Sequence, residues 1–156
     1  MTPHPVAVPV RVRRMQPADL DRVMAIERAA YEFPWTEGIL RDCLRVGYSC
    51  WVLEERERIL GYVILSVAAG EAHLLNLCID PACRRQGYGR RLLEHALSVA
   101  GRLGAETLYL EVRVSNAAAI ALYHAQGFNE IGVRPDYYPA RNGREDALVM
   151  ARVLRP

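Results

Sequence analysis

The sequence has 156 residues, of which 51% are hydrophobic and 24% are charged. These proportions are typical of one soluble globular domain, and they exclude a disordered chain, a collagen-like repeat and a disulfide-rich scaffold. The 20 basic residues, all arginine, nearly balance 18 acidic residues, and a net charge of +2 argues against a nucleic-acid-binding surface.

The first half of the chain predicts a strand, two helices and three further strands. Residues 6–14 alternate apolar and polar side chains, and Pro9, which lacks an amide donor, puts this strand near an edge of the sheet. Residues 17–31 have the spacing of an amphipathic helix, and a second, shorter helix begins with Thr36 as its cap and ends at Gly47. The three consecutive strands, expected to be antiparallel, are residues 48–54, 59–68 and 72–80.

The second half predicts two helices that alternate with strands. A helix runs from residue 88 to 103, a strand follows at 107–113, and Ser115 caps a helix that ends at Gly127. Two closing strands are expected at 128–134 and 147–154. Because helices that cross over the sheet imply some parallel pairing, this order predicts an α+β fold with a mixed, mostly antiparallel sheet flanked by helices.

Residues 1–10 contain three prolines and no basic residue ahead of their few apolar ones, so they lack the layout of a secretory signal. The longest apolar stretch, residues 59–70, is about 12 residues long, whereas a membrane-spanning helix needs about 20. We therefore expect a cytoplasmic protein that contacts no membrane. Residues 1–10 are an extension without an assigned role, and residues 11–156 are expected to form a single domain.

A glycine-rich loop joins the strand that ends at Asp80 to the next helix. Gly87 and Gly89 let the backbone approach a ligand closely, and the first turn of the helix attracts an anion such as a pyrophosphate. On its own this signal is weak, and an ordinary glycine-rich turn is the alternative. A Walker loop is excluded because the chain has no lysine, and a dinucleotide fingerprint is excluded because Leu92 stands where a third glycine or alanine belongs.

The last helix and the strand before it supply three candidate polar residues. Asn116 and Tyr123 share one helix face with Ile120, over a length of about 10 Å, so that one ligand can contact both. The alternative is a capping asparagine and a half-buried core tyrosine. Glu111 ends the preceding strand, and its alternative role is a surface ion pair with Arg113.

These residues resemble a known superfamily. The pattern Arg84-x-x-Gly87-x-Gly89 after an apolar strand is similar to the pyrophosphate motif of the Gcn5-related N-acetyltransferases. Residues 110–130 and 137–147 closely resemble the RimI family within that superfamily, and the resemblance extends over residues 12–154. It implies acetyl-CoA as cosubstrate, no metal, and as acceptor the N-terminal alanine of the eighteenth small-subunit ribosomal protein. It also implies direct attack of the amine, without direct contact to nucleic acid.

The resemblance also implies a role for each matched position. Glu111 is the general base and Tyr123 the general acid, which agrees with unperturbed pKa values of about 8 for an α-amine and about 10 for tyrosine. A backbone amide within residues 77–79 can hold the oxyanion. The expected coenzyme-binding residues are Leu77, Cys78, Ile79, Arg85, Gln86, Gly87, Tyr88, Gly89, Arg90 and Asn116. The expected peptide-binding residues are Phe33, Trp35, Tyr137 and Tyr138.

Several alternatives stay open. The amine acceptor can instead be a lysine side chain or a small molecule, and a coenzyme-binding regulatory domain without turnover needs neither Glu111 nor Tyr123. Cys78 can be a nucleophile, but it has no obvious base beside it, which favours a buried thiol. The four cysteines form no C-x-x-C pair, so we expect free thiols. We expect His73, His95 and His124 to be structural or solvated.

Overall fold

The computed structural model describes residues 9–154, which form one seven-stranded sheet with helices on both faces. The strands are β1 (Val10–Arg14), β2 (Ser49–Glu55), β3 (Arg58–Ala68), β4 (Glu71–Ile79), β5 (Thr107–Arg113), β6 (Asn129–Ala140) and β7 (Gly143–Val153). The helices are α1 (Leu20–Ala30), α2 (Glu37–Arg45), α3 (Tyr88–Arg102) and α4 (Ala117–Ala125), with short 3-10 turns at Pro17–Asp19 and Pro81–Cys83.

The sheet has the strand order β1-β2-β3-β4-β5-β7-β6, and every neighbouring pair is antiparallel except β4 and β5. The predicted mixed, mostly antiparallel α+β fold is confirmed. β1 lies at an edge, as Pro9 indicated. The first three residues of the predicted strand at 6–14, and most of the extension 1–10, lie outside the described residues.

Two apolar cores lie on opposite faces of the sheet. On one face, Leu92 and Leu93 of α3 pack with β-strand residues such as Leu108, and all three side chains are fully buried. On the other face, α1 and α2 bury their apolar stripes against β2 and β3. Each fully buried aliphatic side chain contributes roughly 1.5–3 kcal/mol, so the helices are held mainly by these faces. No helix of residues 9–154 is long and apolar enough to cross a membrane.

An irregularity in β4 creates an opening in the sheet. Ile64 pairs with Asn76 and Leu65 with Leu74, so Leu75 is an extra residue that forms a β-bulge. The parallel ladder between β4 and β5 runs from Glu71 opposite Thr107 to Leu74 opposite Leu110. Beyond this point the described part of β4 continues without pairing to β5, and a cavity opens between the two strands.

Most predicted helix ends agree with the structure, but one cap does not. Thr36 caps α2 by accepting a hydrogen bond from the backbone N–H of Ile39 at 3.2 Å, as expected. The prediction that Ser115 caps α4 is wrong, because Asn116 is the cap and accepts from the N–H of Ala119 at 3.2 Å. The Ser115 N–H instead donates to a carboxylate oxygen of Glu145 at 2.9 Å.

The predicted bounds of the two closing strands are also wrong. β6 extends to Ala140 and β7 begins at Gly143, so together they form a long hairpin. Its outer part includes Pro135 and Pro139, and its side chains are mostly exposed on both faces. The sequence there therefore lacks the alternation of apolar and polar residues that predicts a strand. Pairing between the two strands, with a register shift between Arg134 and Tyr138, extends them past the apolar segments.

Candidate active site

The glycine-rich loop enters α3 through two residues in the left-handed region. Arg85 has φ of 66° and Gly87 has φ of 81°, and Gly87 is the N-cap of α3. A Cβ atom added to Gly87 would meet no heavy atom within 4 Å, so the space above the loop is open. Such a turn at the start of a 15-residue helix combines exposed backbone N–H groups with the positive end of the helix dipole, which favours an anion.

A cavity of about 460 Å³ lies beside this loop, between the end of β4 and α4. Eight of the ten residues expected to bind the coenzyme line it. They are Leu77, Cys78, Ile79, Arg85, Gly87, Tyr88, Gly89 and Asn116. The other two, Gln86 and Arg90, are exposed and are not part of the lining, and Arg90 pairs with Glu94 at 2.9 Å. Arg84, which was absent from the predicted set, lines the cavity as well.

A second cavity of about 340 Å³ lies where β4 and β5 separate, between the loop after α1 and the β6–β7 hairpin. Three of the four residues expected to bind the peptide, Phe33, Trp35 and Tyr138, line it together with Glu111. Tyr137 does not line it, since its ring packs edge-on against Tyr138 with 4.8 Å between ring centroids. Five residues line both cavities, which therefore adjoin: Tyr31, Leu77, Asn116, Ala119 and Tyr123.

Tyr123 lies at the junction of the two cavities. Its side chain is buried and packs edge-on against Phe128, with 5.7 Å between the ring centroids. Burial raises the pKa of Tyr123 well above its ordinary value of about 10, and the nearby Tyr138 raises it further. The phenol therefore stays protonated at neutral pH and can donate its proton.

Glu111 is held by two side chains from neighbouring strands. His73 Nε2 lies 2.5 Å from Glu111 Oε2, and Arg134 Nε lies 3.2 Å from Oε1. The Glu111 side chain is only 10% exposed, so the carboxylate lies inside the cavity wall. His73 is thus a candidate functional residue that the sequence reading missed. Its only signal was a position on the strand next to Glu111, and the parallel register that brings them together is not visible in a local pattern.

Arg113 does not form the ion pair with Glu111 that was the alternative role for that carboxylate. Its guanidinium instead donates to Glu145 at 3.1 Å and to the Pro139 carbonyl at 2.8 Å, and lies 4.6 Å from the centre of the Tyr138 ring. Hydrogen bonds from Ser115, and the Arg113 guanidinium, lower the pKa of Glu145. Arg113 therefore fixes the hairpin wall of the smaller cavity.

A buried carboxylate supports the opposite wall. Glu27 of α1 is 1% exposed, and it accepts hydrogen bonds from the Tyr62 hydroxyl at 2.5 Å and from Asn76 Nδ2 at 2.8 Å. It also accepts from the backbone N–H of Trp35 at 2.8 Å, which fixes the loop after α1. Sequence analysis gave Glu27 no function, and a carboxylate on the apolar surface of the helix predicted at residues 17–31 was the available signal.

The four cysteines, His95 and His124 agree with the expectation of free thiols and of structural or solvated histidines. All four cysteines are buried and free, and burial raises the pKa of Cys78 to about 11, which keeps its thiol protonated. His95 packs edge-on against Trp51, and His124 pairs with Glu130 at 3.2 Å on the surface.

Comparisons with known proteins agree with this geometry. The model of the acetyltransferase (GNAT) family matches residues 20–128. The chain is 42% identical, over 90% of its length and 95% of the relative's, to the [ribosomal protein bS18]-alanine N-acetyltransferase of Escherichia coli K12. It is 44% identical to the protein of the same description from Salmonella typhimurium, over 85% of this chain and 90% of that one. The crystal structure of the ribosomal-protein-S18-alanine N-acetyltransferase from E. coli superposes with a TM-score of 0.88 at 40% identity, covering 94% of this chain and 95% of that one.

Proposed function

The chain belongs to the acetyltransferase (GNAT) family, and we propose that it transfers the acetyl group of acetyl-CoA to the N-terminal alanine of ribosomal protein bS18 in the cytoplasm. The observation that carries this proposal is the pair of adjoining cavities, which share Tyr123 and have Glu111 in the wall of the smaller one. The names of the relatives support the choice of acceptor.

In this proposal the larger cavity holds acetyl-CoA. The pyrophosphate belongs at the loop from Arg85 to Arg90, because Gly87 leaves the space above the first turn of α3 open and the helix terminus favours an anion. The acetyl-bearing end belongs along residues 77–79, whose β5-facing edge has no partner in the β4–β5 ladder. The bound coenzyme supplies an acetyl thioester, and no covalent enzyme intermediate is required.

The smaller cavity then holds the N-terminus of the peptide. The walls that carry Phe33, Trp35 and Tyr138 suit a peptide backbone and leave room for a small first side chain. A loop fixed by Glu27 and a hairpin fixed by Arg113 keep these aromatic rings in place. The sequence hypothesis that Tyr137 contacts the peptide is supported only indirectly, through its edge-on contact with Tyr138.

Two side chains move the protons. Glu111 accepts a proton from the peptide's α-ammonium, which leaves a neutral amine that can attack the thioester carbonyl. Tyr123, kept protonated by burial, donates its proton to the departing thiolate and is reprotonated from the amine nitrogen. A backbone N–H within residues 77–79 stabilises the negative charge that develops on the carbonyl oxygen. The net reaction therefore releases one proton to solvent.

The test compares two peptides in the presence of acetyl-CoA, with the products followed by mass spectrometry. One peptide has a free N-terminal alanine and no lysine, and the other has the same sequence with a blocked N-terminus and one internal lysine. We expect the first to be acetylated much faster, because an α-amine with a pKa near 8 is neutral far more often at pH 7 than a lysine with a pKa near 10.4.

Equal or faster modification of the blocked peptide would overturn the N-α assignment and favour a lysine acetyltransferase. Modification of neither peptide, in a protein that binds acetyl-CoA, would favour the coenzyme-binding domain without turnover.

A further inference from the structure

A contact between two adjacent strands fixes the carboxylate of Glu111. The 2.5 Å separation between His73 Nε2 and Glu111 Oε2 requires a proton between the two atoms. An ionised Glu111, as the proposed mechanism requires, can only accept, so Nε2 of His73 is the donor. The other oxygen accepts from Arg134 Nε at 3.2 Å. Both oxygens of Glu111 thus have a donor, and the plane of the carboxylate cannot turn freely.

Solvent exposure of the three side chains increases from Glu111 to His73 and then to Arg134. Glu111 is 10% exposed and lines the smaller cavity, whereas His73 is 39% exposed and Arg134 is 57% exposed. Neither His73 nor Arg134 is part of the described lining of either cavity. Any effect of His73 on the reaction must therefore be exerted through Glu111.

The fold holds this contact rigidly. His73 lies opposite Tyr109 in the parallel ladder, which ends one pair later at Leu74 and Leu110. Glu111 is the first residue of β5 beyond that ladder. His73 is therefore on the last paired segment and Glu111 is at the point where the strands separate, so that backbone hydrogen bonds set the distance between them.

We propose that His73 is a positioning residue for Glu111: its Nε2–H orients the carboxylate. This inference rests on the proposed function. The groups that face Glu111 are His73 from β4 and Arg134 and Tyr138 from β6. When the substrate ammonium approaches, one of its N–H bonds breaks, the electron pair stays on nitrogen and the proton bonds to a Glu111 oxygen. That proton then passes to water, while His73 keeps its own.

The kinetic test compares the wild type with His73→Ala and His73→Gln on the alanine peptide. We expect His73→Ala to lower kcat on the order of 10- to 100-fold and to leave the peptide KM within about twofold, because the carboxylate loses orientation and the cavity walls are unchanged. His73→Gln, which keeps an amide donor, should recover most of the lost kcat. The matched control is His124→Ala, which removes a histidine from another His–Glu pair outside both cavities and should leave kcat unchanged.

A spectroscopic readout does not depend on turnover. In the ¹⁵N-labelled wild type, we expect a downfield Nε2–H proton resonance for His73, and in Glu111→Gln that resonance should move upfield because a neutral amide is a weaker acceptor than a carboxylate. A wild-type kcat in His73→Ala would overturn the proposal, and so would the absence of the downfield resonance. Failure of the wild type to acetylate the alanine peptide would overturn the proposed function instead, and the His73 resonance would remain.

Discussion

Two buried tyrosines, Tyr62 and Tyr123, and the half-buried Tyr31 lie around the site, and their hydroxyl groups have different surroundings. The Tyr62 hydroxyl donates to Glu27, and the Tyr31 hydroxyl lies 3.2 Å from both Asn76 Oδ1 and the Leu77 carbonyl. Both are tied to structural partners. Tyr123 lies where the cavities meet, packs edge-on against Phe128 and lies near Tyr138. Of the three, Tyr123 is the one to which the proposed mechanism gives the protonation of the leaving group.

We predict that Tyr123→Phe lowers kcat on the order of 10- to 1000-fold with little change in coenzyme affinity, since the variant loses a proton donor but almost no contact area. Because the pKa of Tyr123 is raised by burial, the wild-type rate should show no alkaline decline from ionisation of this residue up to about pH 10. Steady-state rates and calorimetric binding of acetyl-CoA measure both effects. A variant with wild-type turnover, when chemistry limits the rate, would mean that solvent protonates the thiolate.

At this scale the sequence predicted the residues that belong to motifs and missed those that depend on long-range contacts. Glu111 and Tyr123, which line the smaller cavity, were proposed as site residues because they stand in a recognisable stretch. His73 and Glu27 were not, because His73 meets Glu111 across 38 positions and Glu27 meets Asn76 across 49. Each contact depends on strand register or on helix docking, and no local spacing encodes either.

Among the secondary structure elements, the start of α3 is the one that the proposed function assigns to the pyrophosphate of the coenzyme. Gly87 and Gly104 stand at opposite ends of this helix, with φ of 81° and 87°, and an added Cβ would meet nothing within 4 Å at either position. They differ in that Gly87 lines the larger cavity and Gly104 lines neither. A larger residue at either position therefore causes the same backbone strain, but only one at Gly87 can exclude a ligand from the larger cavity.

We predict that Gly87→Leu weakens acetyl-CoA binding at least tenfold, because the new side chain occupies the space expected for the pyrophosphate. Gly104→Leu should bind acetyl-CoA as the wild type does. Both variants should lose roughly 1–2 kcal/mol of stability, the cost of an L-residue in the left-handed region. Calorimetry and thermal unfolding provide the two measurements. Equal affinities for the two folded variants would contradict the assignment of the loop.

Helices were easier to predict than the last strands, for a physical reason. α2, α3 and the strand at 107–113 have caps or apolar periods that are local in the sequence, and their predicted ends differ from the structure by at most two residues. The hairpin beyond Arg134 has exposed side chains and two prolines, and it is a pair of strands because its two halves bond to each other. The same long-range pairing forms the bulge at Leu75, which no pattern of residues indicated.

For the molecule as a whole, Asp80 links α1 to the turn at Pro81–Cys83, just before the glycine-rich loop. It accepts from Arg22 of α1 at 2.6 Å and from the Ala82 N–H at 3.0 Å. The Ala82 N–H and the Arg22 guanidinium lower the pKa of Asp80. A carboxylate with a lowered folded-state pKa stabilises the fold fully above its unfolded pKa of about 3.9, and this contribution is lost as the pH falls towards the folded value.

We therefore predict that Asp80→Asn lowers the free energy of unfolding by about 1–2 kcal/mol at pH 7, since asparagine keeps an oxygen for Ala82 but loses the charge. The difference from the wild type should shrink as the pH falls below about 4. The control is Asp42→Asn, whose exposed pair with Arg45 should contribute less than about 1 kcal/mol. Urea unfolding at several pH values measures this, and a difference that stays constant down to pH 2 would exclude the linkage.

The two adjoining cavities also favour one order of events in the proposed reaction. In the proposed reaction the coenzyme and the peptide are bound at the same time, because five residues line both cavities, and the amine reaches the thioester directly. The competing route passes through an acetylated cysteine, and Cys78 lines the larger cavity. Burial raises the pKa of Cys78 to about 11, so at pH 7 the thiolate needed for that route is scarce.

We predict a sequential mechanism, in which initial-rate lines against one substrate at several fixed concentrations of the other intersect in a double-reciprocal plot. Cys78→Ala should keep most of the wild-type kcat, because the thiol has no part in direct transfer, and Cys83→Ala is the matched control since that buried thiol lines the same cavity. Mass spectrometry of the enzyme mixed with acetyl-CoA alone should show no added acetyl group. Parallel lines, together with loss of turnover in Cys78→Ala and wild-type turnover in Cys83→Ala, would instead establish a ping-pong reaction through an acetyl-cysteine.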